Sequence, residues 1–480
     1  MNNHQSQASF KSKKTIVCLP DRPREDPQEK MKIEMSTTIG TTKTSEHITA
    51  ALRPYPSKLF VETTTRCNLN CFMCVKQSDD TCIDEGDLSE ETFTRLLPAL
   101  PHAKALILNG VGEPLLHPKL EKFIRLAKRH MSPEGWIGFQ SNGLLLDESR
   151  AFSLLESGLD RICLSIDTIS PDMFKRMRAG GELSNIDCAL NHLGAAKRSL
   201  NKTDFRTGVE FVAMRSNLKE LPDAIAWAAS RGAAFALVTH VLPYDQNHTA
   251  EAAYSLCSDQ SLKFFLEGKK QAESAGVDIT RYPQVIWKFY KNRGPEELKI
   301  IEHVEKMKAD AEKNGVSLDL KKLYSLDLDW LEQVSVIFEE ASFIAAEHDL
   351  DLQLPEISLR DERKCEFVEE GSAFVNWKGD VHPCYFLWHT YQCFASGWRQ
   401  EVQPKTFGNL SDTGIMEIWN SANFAAFRKN VIKYDYPYCS NCGLAPCDYV
   451  QTDNFEQDCH INAEPCGSCI WCMGIFRCLN

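Results

Sequence analysis

The chain has 480 residues, more than the roughly 250–300 that one hydrophobic core usually serves, so we expect one large domain with one or two smaller ones. Its 54 Lys and Arg against 66 Asp and Glu give a formal net charge of −12, which argues against a surface for nucleic acid or an anionic membrane. The sequence has no apolar run of about 18 residues and no signal-peptide pattern, and it therefore predicts a cytoplasmic protein.

The 19 cysteines are the unusual feature of this composition. A reducing cytoplasm does not support a disulfide framework, so ligation of a metal or a cluster is the better interpretation. Three cysteines lie within residues 67–74 and eight within residues 439–478, with Cys365, Cys384 and Cys393 shortly before the second group. The scattered remainder are interpreted as ordinary small residues: Cys18, Cys82, Cys163, Cys188 and Cys257.

The chain order predicts an α/β fold. Residues 1–50 are polar with little apolar periodicity, which predicts a disordered N-terminal tail. Over residues 51–248, short apolar or β-branched runs alternate with amphipathic helical patterns, beginning with KLFVETTT and SEETFTRLLPAL. Because parallel strands need crossover helices of one hand, six such units predict a partial (β/α)6 barrel similar to a TIM barrel. The carboxyl ends of its strands should carry the site.

The amino-acid composition changes twice along the second half of the chain. Residues 249–360 are predicted as a mainly helical insertion, with helices that end at Gly or Asp. Residues 361–480 are rich in Gly, Pro, Cys and aromatic residues with few long helical patterns. Such a composition builds little apolar core, so we expect a small domain held together by metal clusters.

The first cysteine group follows the first predicted strand, in TTRCNLNCFMCVK, with the spacing Cys67-x3-Cys71-x2-Cys74. Three thiolates at these separations can reach three corners of a cubane cluster and leave one iron without a protein ligand. An open position of this kind marks a catalytic metal. The spacing alone also fits a zinc site, whereas the position at the end of the first barrel strand favours the cluster.

This spacing in this loop resembles the signature of the radical S-adenosylmethionine (SAM) superfamily, and the resemblance extends from residue 58 to about residue 245. It implies a [4Fe–4S] cluster on Cys67, Cys71 and Cys74, with SAM on the free iron and Met73 near the adenine. In that family, the reduced cluster cleaves SAM to methionine and a 5′-deoxyadenosyl radical, which abstracts hydrogen from the substrate. Met73 departs from the pattern, because that position is commonly aromatic.

Further phrases match the SAM-binding segments of the family in register with successive strands. Each phrase alone is an ordinary turn or strand end, so the resemblance depends on finding all of them in order. The resemblance implies SAM contacts from Gly112 and Glu113 in LNGVGEPLLHP, Gln140, Ser141 and Asn142 in GFQSNG, Ser165 and Asp167 in LSID, and Arg178 in FKRMRAGG. The arginine would neutralise the SAM carboxylate. His117 and His240 fall near the barrel mouth in this map and could contact substrate, although such histidines are more often structural.

The C-terminal cysteines begin with Cys365-x13-Gly379-x4-Cys384. This phrase resembles the opening of the SPASM extension of radical SAM enzymes that modify peptides and proteins. In that extension, the two cysteines flank a hairpin and ligate an auxiliary cluster. His382 and His389 flank the same hairpin and could also ligate a metal.

The continuation departs from the SPASM pattern. In Cys439-x2-Cys442-x4-Cys447 the last interval is one residue short, and Gln451 stands where a fourth cysteine would fall. Eight thiolates would hold two fully ligated auxiliary [4Fe–4S] clusters, and zinc remains an alternative because Cys-x2-Cys pairs also bind zinc. The expected ligands are Cys365, Cys384, Cys439 and Cys442, with Cys459, Cys466, Cys469 and Cys478, which leaves Cys393, Cys447 and Cys472 as spare thiols.

Longer phrases, such as YPSKLFVETTTRCNLNCFMCVKQ and CGSCIWCMGIFRC, resemble radical SAM/SPASM maturases that accompany tungsten-containing oxidoreductases. This resemblance implies maturation of a metalloenzyme through modification of a protein, peptide or metallocofactor. It also implies an electron donor such as ferredoxin or flavodoxin. Peptide modification by thioether formation or epimerisation is the alternative, and a zinc-binding scaffold is the non-enzyme alternative. Sulfatase maturation is disfavoured because Tyr385, with a reference pKa of about 10, replaces the acidic base of those relatives.

Overall fold

The computed structural model describes residues 49–78, 81, 83–435, 466–467 and 469–479. All of them belong to one structural unit, Ile48–Asn480. Nearly all of the expected N-terminal tail lies outside the described residues, as do Cys439, Cys442, Cys447 and Cys459.

The strands of the described residues are short, as expected for strands that alternate with helices. In chain order they are β1 (Lys58–Val61), β2 (Asn70–Cys71), β3 (Ala105–Ile107), β4 (Trp136–Ser141), β5 (Arg161–Ser165), β6 (Arg178–Ala179), β7 (Arg206–Ala213), β8 (Phe235–His240), β9 (Ser255–Ser258), β10 (Asp351–Gln353), β11 (Ser358–Leu359), β12 (Ser372–Val375), β13 (Asp380–His382), β14 (Tyr391–Cys393), β15 (Gln400–Val402) and β16 (Gly408–Asn409).

The α-helices connect these strands or form the insertion. They are α1 (Glu90–Thr94), α2 (Leu120–Lys128), α3 (Glu148–Ser157), α4 (Pro171–Met177), α5 (Leu183–Ser199), α6 (Leu221–Ser230), α7 (Asp259–Ser274), α8 (Tyr282–Ile286), α9 (Pro295–Lys313), α10 (Leu320–Tyr324), α11 (Leu328–Glu347), α12 (Glu366–Glu369), α13 (Ile415–Trp419) and α14 (Ala422–Val431).

The main sheet has the strand order β10-β8-β7-β5-β4-β3-β1-β12-β13-β16. Its centre consists of β1, β3, β4, β5, β7 and β8, all parallel, with a helix between successive strands from β3 onward. The predicted α/β fold with six parallel strands is thereby confirmed. The sheet extends further at both ends, because β10 of the helical segment pairs with β8 and β12 of the C-terminal segment pairs with β1.

Local chemistry explains where the barrel helices begin and end. For α3, the Asp147 carboxylate accepts a hydrogen bond from the Arg150 amide at 2.7 Å, which satisfies a backbone donor of the first turn. The helix ends at Gly158, whose φ of 101° costs glycine little. The helix packs against α2 and α5, and its Leu154 and Leu155 belong to the main apolar core. The capping residues Asp147 and Gly158 define where the helix begins and ends.

The helical segment has an apolar core of its own, which includes Phe265, Val304 and Leu323 from α7, α9 and α10. Its last helix, α11, packs instead on the barrel helix α6. Among the described residues, no helix combines the length and the apolar character that crossing a membrane requires.

Candidate active site at the carboxyl ends of the strands

The three cysteines of the first group face one cavity of about 280 Å³. Strand β2 carries Cys71 and pairs antiparallel with β6, which sets Cys71 opposite Arg178. The Cys74 amide donates to the Cys71 carbonyl oxygen at 3.1 Å, so the loop folds back on itself. A loop of this shape directs all three thiols, Cys67, Cys71 and Cys74, toward the same space.

Burial raises the pKa of each of these thiols, that of Cys74 to about 11. Thiolates at this place therefore need nearby positive charge or hydrogen-bond donors. Two donors approach the sulfur atoms: the Arg178 Nη1 lies 3.8 Å from the Cys71 Sγ, and the Asn142 Nδ2 lies 4.0 Å from the Cys67 Sγ. Three thiols around one cavity, with donors behind them, are a donor set that fits an iron–sulfur cluster.

Glu113 places a buried carboxylate in the wall of the same cavity. Its Oε1 accepts hydrogen bonds from the Ser141 hydroxyl at 2.8 Å and the Leu115 amide at 3.1 Å, and its Oε2 accepts one from the Asn142 amide at 2.8 Å. Burial raises the pKa of Glu113 despite these donors. A bound cation would compensate this buried negative charge.

Gly112 allows the chain to pass close to the first loop. A Cβ at this position would lie 2.4 Å from the Thr64 carbonyl oxygen and 2.5 Å from that of Arg66. The Glu113 amide donates to the same Arg66 oxygen at 2.8 Å. Only glycine therefore lets the Glu113 segment lie against the cysteine loop.

Arg178 and Asp167 form a buried ion pair behind the Cys71 thiol. The Arg178 Nε donates to the Asp167 Oδ2 at 2.7 Å, and the Val212 amide donates to the Asp167 Oδ1 at 2.8 Å. Burial lowers the pKa of Arg178, but the negative charges of Asp167 and Cys71 outweigh it, and the net pKa is raised. The guanidinium therefore stays charged where it faces the cavity.

Of the other residues that the sequence predicts as SAM contacts, all but one line this cavity. Met73, Gly112, Gln140, Ser141, Asn142, Ser165 and Arg178 line the cavity together with Glu113 and the three cysteines. Asp167 is fully buried and does not line it, because its carboxylate lies behind Arg178. Asp167 thus contacts the site through the arginine.

Sequence reasoning missed two polar residues of the cavity, Asn109 and Glu210. The Asn109 Nδ2 donates to the Gln140 Oε1, and the Ser165 hydroxyl donates to the Glu210 Oε2 at 3.2 Å. Burial, and then the charge of Asp167, raises the pKa of Glu210 to about 7. The sequence does carry a signal for Glu210, because this charged residue interrupts the otherwise apolar run of its strand in TGVEFVAMR.

The four histidines considered as site residues do not line this cavity. A ring nitrogen of each lies near a protein acceptor: His117 Nε2 is 3.0 Å from the Leu88 oxygen, His240 Nε2 is 3.0 Å from the Glu356 oxygen, His382 Nδ1 is 3.1 Å from the Lys405 oxygen, and His389 Nε2 is 3.1 Å from the Glu62 Oε1. These contacts give the histidines structural roles.

The described C-terminal cysteines lie in or against the main apolar core: Cys365, Cys384, Cys393, Cys466, Cys469, Cys472 and Cys478. Tyr385, directly after Cys384, packs edge-on against Phe60 of β1, with ring centroids 5.1 Å apart. Burial raises the pKa of Tyr385 well above its ordinary value, so the residue is a poor base. In the described part of the chain, no three His, Cys, Asp or Glu side chains form a group that could hold a single metal ion.

Comparisons with known families agree with this geometry. The model of the Radical SAM superfamily matches residues 61–226, and the SPASM model, an iron-sulfur cluster-binding domain, matches residues 365–443. The chain therefore belongs to the iron–sulfur proteins of the radical SAM superfamily. More particularly, it is a radical SAM enzyme with a C-terminal SPASM domain, and its cofactors are a [4Fe–4S] cluster, SAM and auxiliary clusters.

Individual relatives cover different shares of the chain. The tungsten-containing aldehyde ferredoxin oxidoreductase cofactor-modifying protein of Pyrococcus furiosus is 25% identical over 425 residues, 88% of this chain and 96% of the relative. A probable GTP 3′,8-cyclase of Methanocaldococcus jannaschii is 27% identical over 183 residues, 38% of this chain and 58% of the relative. The structure of Streptococcus suis SuiB bound to S-adenosylmethionine is 10% identical, with a TM-score of 0.46, and covers 78% of this chain and 68% of that chain.

Proposed function

We propose that this enzyme acts in the maturation of a metalloenzyme, by modifying a polypeptide or its metallocofactor. The similarity to a cofactor-modifying protein of a tungsten enzyme supports this role, because it extends over 96% of that relative. The observation that carries the radical chemistry is the common cavity of Cys67, Cys71, Cys74 and Glu113. Three thiols directed at one cavity can hold three corners of a cubane cluster and leave the fourth iron open for a ligand.

In this proposal, the thiolates of Cys67, Cys71 and Cys74 hold the cluster and leave one iron for SAM. Together, the cluster and SAM supply the 5′-deoxyadenosyl radical of this enzyme family. The Glu113 carboxylate accepts hydrogen bonds from the SAM ammonium group. The positive charge of that group offsets the free-energy cost of burying the carboxylate. The Arg178 guanidinium binds the SAM carboxylate while it remains paired with Asp167.

The polar side chains at the next strand ends orient the rest of SAM. Gln140, Ser141, Asn142 and Ser165 supply amide and hydroxyl groups, and Gly112 supplies a backbone position close to the first loop. Met73 packs in an apolar patch with Met177 and Met214 and offers a polarizable surface to the adenine. Gln140 and Ser141 belong to the end of β4 and Ser165 to the end of β5, so these groups are held in place before SAM binds.

The partners proposed are a protein or peptide substrate and an electron donor such as ferredoxin or flavodoxin. The proposed compartment is the cytoplasm, because thiol ligands need a reducing environment. The auxiliary clusters are proposed on the cysteines from Cys365 to Cys478. With no open iron, such clusters would transfer electrons.

SAM cleavage is the first test of this proposal. Anoxically reconstituted protein given SAM and dithionite should form 5′-deoxyadenosine, measured by chromatography. Cys67→Ala should abolish this formation, because one of the three cluster ligands is lost. Cys188→Ala, which changes an exposed thiol, is the matched control and should retain the wild-type rate. Equal rates for wild type and Cys67→Ala would contradict the assignment.

The maturation role needs a separate readout. A tungsten-containing oxidoreductase made with the wild-type enzyme should differ in polypeptide or cofactor mass from the same protein made with Cys67→Ala. High-resolution mass spectrometry of the intact protein and of the extracted cofactor would detect this difference. Identical masses in both preparations would argue against maturation while leaving the SAM chemistry intact.

A further inference from the structure

Glu62 carries a buried carboxylate that has no role in the site described so far. It directly follows β1, its side chain is fully buried, and it does not line the cavity of the three cysteines. A carboxylate at such a place needs hydrogen-bond donors, because water no longer solvates its charge. The donors that contact Glu62 come from two segments that lie far apart in the chain.

One donor belongs to the Gly110 loop, residues 110–113, which follows β3. The Val111 amide donates to the Glu62 Oε1 at 3.0 Å. Only glycine at position 110 permits this approach, because a Cβ there would lie 2.2 Å from the Glu62 Cγ. All four residues of the loop line the cavity, including Glu113. Glu62 therefore holds, from outside the cavity, the loop that carries the proposed acceptor of the SAM ammonium group.

The other donors belong to the β12–β14 segment, residues 372–393. The Trp377 amide donates to the Glu62 Oε2 at 3.3 Å, and the His389 Nε2 lies 3.1 Å from the Glu62 Oε1. Because an ionised carboxylate only accepts hydrogen bonds, the imidazole ring is the donor in the second contact. The Glu62 amide in turn donates to the Val375 carbonyl oxygen at 2.8 Å. The β12–β14 segment is thus bound to Glu62 through both side chain and backbone.

These contacts join the linings of two cavities. Val111 lines the cavity of the three cysteines, whereas Trp377 and His389 line a second cavity of about 270 Å³. A single atom, the Glu62 Oε1, contacts both Val111 and His389. A displacement of the β12–β14 segment would therefore reach the Gly110 loop through one carboxylate.

We propose that Glu62 and His389 are positioning residues for SAM, through which the β12–β14 segment holds the Gly110 loop in its SAM-binding geometry. Neither residue lines the cavity, so both act through the backbone of Val111. A loop that is already held loses less conformational entropy when a ligand binds, so the pair increases the affinity for SAM. This role rests on the proposed assignment of the cavity to SAM.

The first test compares SAM binding by anoxically reconstituted full-length variants, using equilibrium dialysis. His389→Ala leaves the Glu62 carboxylate with two amide donors, so the dissociation constant of SAM should rise about 5- to 20-fold. His389→Gln retains an N–H donor and should restore most of the affinity. His192→Ala is the matched control, because His192 also has a single hydrogen-bonded neighbour, the Leu146 oxygen at 2.9 Å, and it should bind SAM like the wild type.

Turnover separates positioning from catalysis. In assays of 5′-deoxyadenosine formation, His389→Ala should raise the KM for SAM while kcat at saturating SAM stays within about twofold, because neither residue touches the reacting atoms. Glu62→Gln should raise the KM in the same way, because its amide group cannot accept hydrogen bonds from all three donors. Saturating SAM should still shift the EPR signal of the cluster in both variants.

An unchanged dissociation constant for SAM in both His389→Ala and Glu62→Gln would overturn the proposal. A fall in kcat with an unchanged KM would also overturn it, since it would place the pair in the chemistry rather than in binding. If His389→Ala does not fold, Glu62→Gln decides, because it keeps the size of the side chain. Failure of the proposed function would appear separately, as absence of 5′-deoxyadenosine formation by the wild type, and the dialysis comparison needs no turnover.

Discussion

The two groups of cysteines differ in how far apart their members lie along the chain. Cys67, Cys71 and Cys74 come from one short loop after β1, and the groups behind them come from the next strand ends. The described C-terminal cysteines come from two widely separated stretches, residues 365–393 and residues 466–478, which a hydrogen bond from the Lys364 amide to the Cys472 carbonyl oxygen joins. The spacing of cysteines in the sequence therefore predicts well which residues meet in the first region and predicts this poorly for the second.

The regions also differ in how charge is balanced. At the barrel site, a buried guanidinium faces Cys71 and a buried carboxylate, Glu113, lies on the same cavity, so both signs of charge are present. At the C-terminal site, backbone amides are the donors identified near the sulfur atoms of Cys365 and Cys384. The first arrangement suits a zwitterionic ligand, and the second suits an enclosed cluster.

The largest expected effect tests the charge balance of the barrel site. Arg178→Met would leave Asp167 charged, buried and unpaired, so the free energy of unfolding should fall by about 3–5 kcal/mol. Anoxic denaturant titration measures this change. Arg231→Met, which breaks an exposed pair with Asp187, is the matched control and should cost about 1 kcal/mol or less. A cost for Arg178→Met that equals the control would refute the buried-pair account.

A smaller effect is expected for SAM binding. Glu113→Gln keeps the size of the side chain but sets an amide group against the donors from Ser141, Leu115 and Asn142. The dissociation constant of SAM should rise about 10- to 100-fold, because a charged acceptor and its geometry are lost. Anoxic equilibrium dialysis measures this, with the exposed Glu134→Gln as control. The auxiliary EPR signals should not change, which separates the two regions.

The smallest expected effect concerns pH. The unfolded chain releases the Glu210 proton near the ordinary value of 4.5, whereas burial raises the folded pKa to about 7. Between these values the unfolded state binds fewer protons, so the free energy of unfolding should fall by about 1 kcal/mol per pH unit as pH rises. Glu210→Gln should remove this slope. The same slope in wild type and variant would mean that another group titrates.

Much of the fold could be predicted because its signals are local. Apolar runs such as RICLSID alternate with amphipathic helices, and caps such as Asp147 and Gly158 mark helix ends. The SAM contacts were predicted from the resemblance to the radical SAM superfamily, and parallel strands, which bring their carboxyl ends to one edge of the sheet, explain why most of these residues meet at one cavity. Asn109 and Glu210 were missed because a polar residue within a strand has several ordinary explanations.

The sheet extensions and the contact of the C-terminal tail with the segment before Cys365 could not be predicted in this way. Pairing of β12 with β1 joins Ser372 to Lys58, and no local pattern encodes such a distant partner. The hydrogen bond from the Lys364 amide to the Cys472 carbonyl oxygen likewise depends on the tail returning along the segment before α12. Such contacts follow from packing of the whole chain, which sequence spacing does not contain.

The central claim is that SAM binds the cluster held by Cys67, Cys71 and Cys74. EPR spectra of the dithionite-reduced enzyme with and without SAM test it most directly. The account predicts one [4Fe–4S] signal whose g values shift on addition of SAM, and loss of that signal when all three cysteines are changed to Ala. A spectrum that SAM leaves unchanged, or a SAM-sensitive signal that survives the triple substitution, would contradict it.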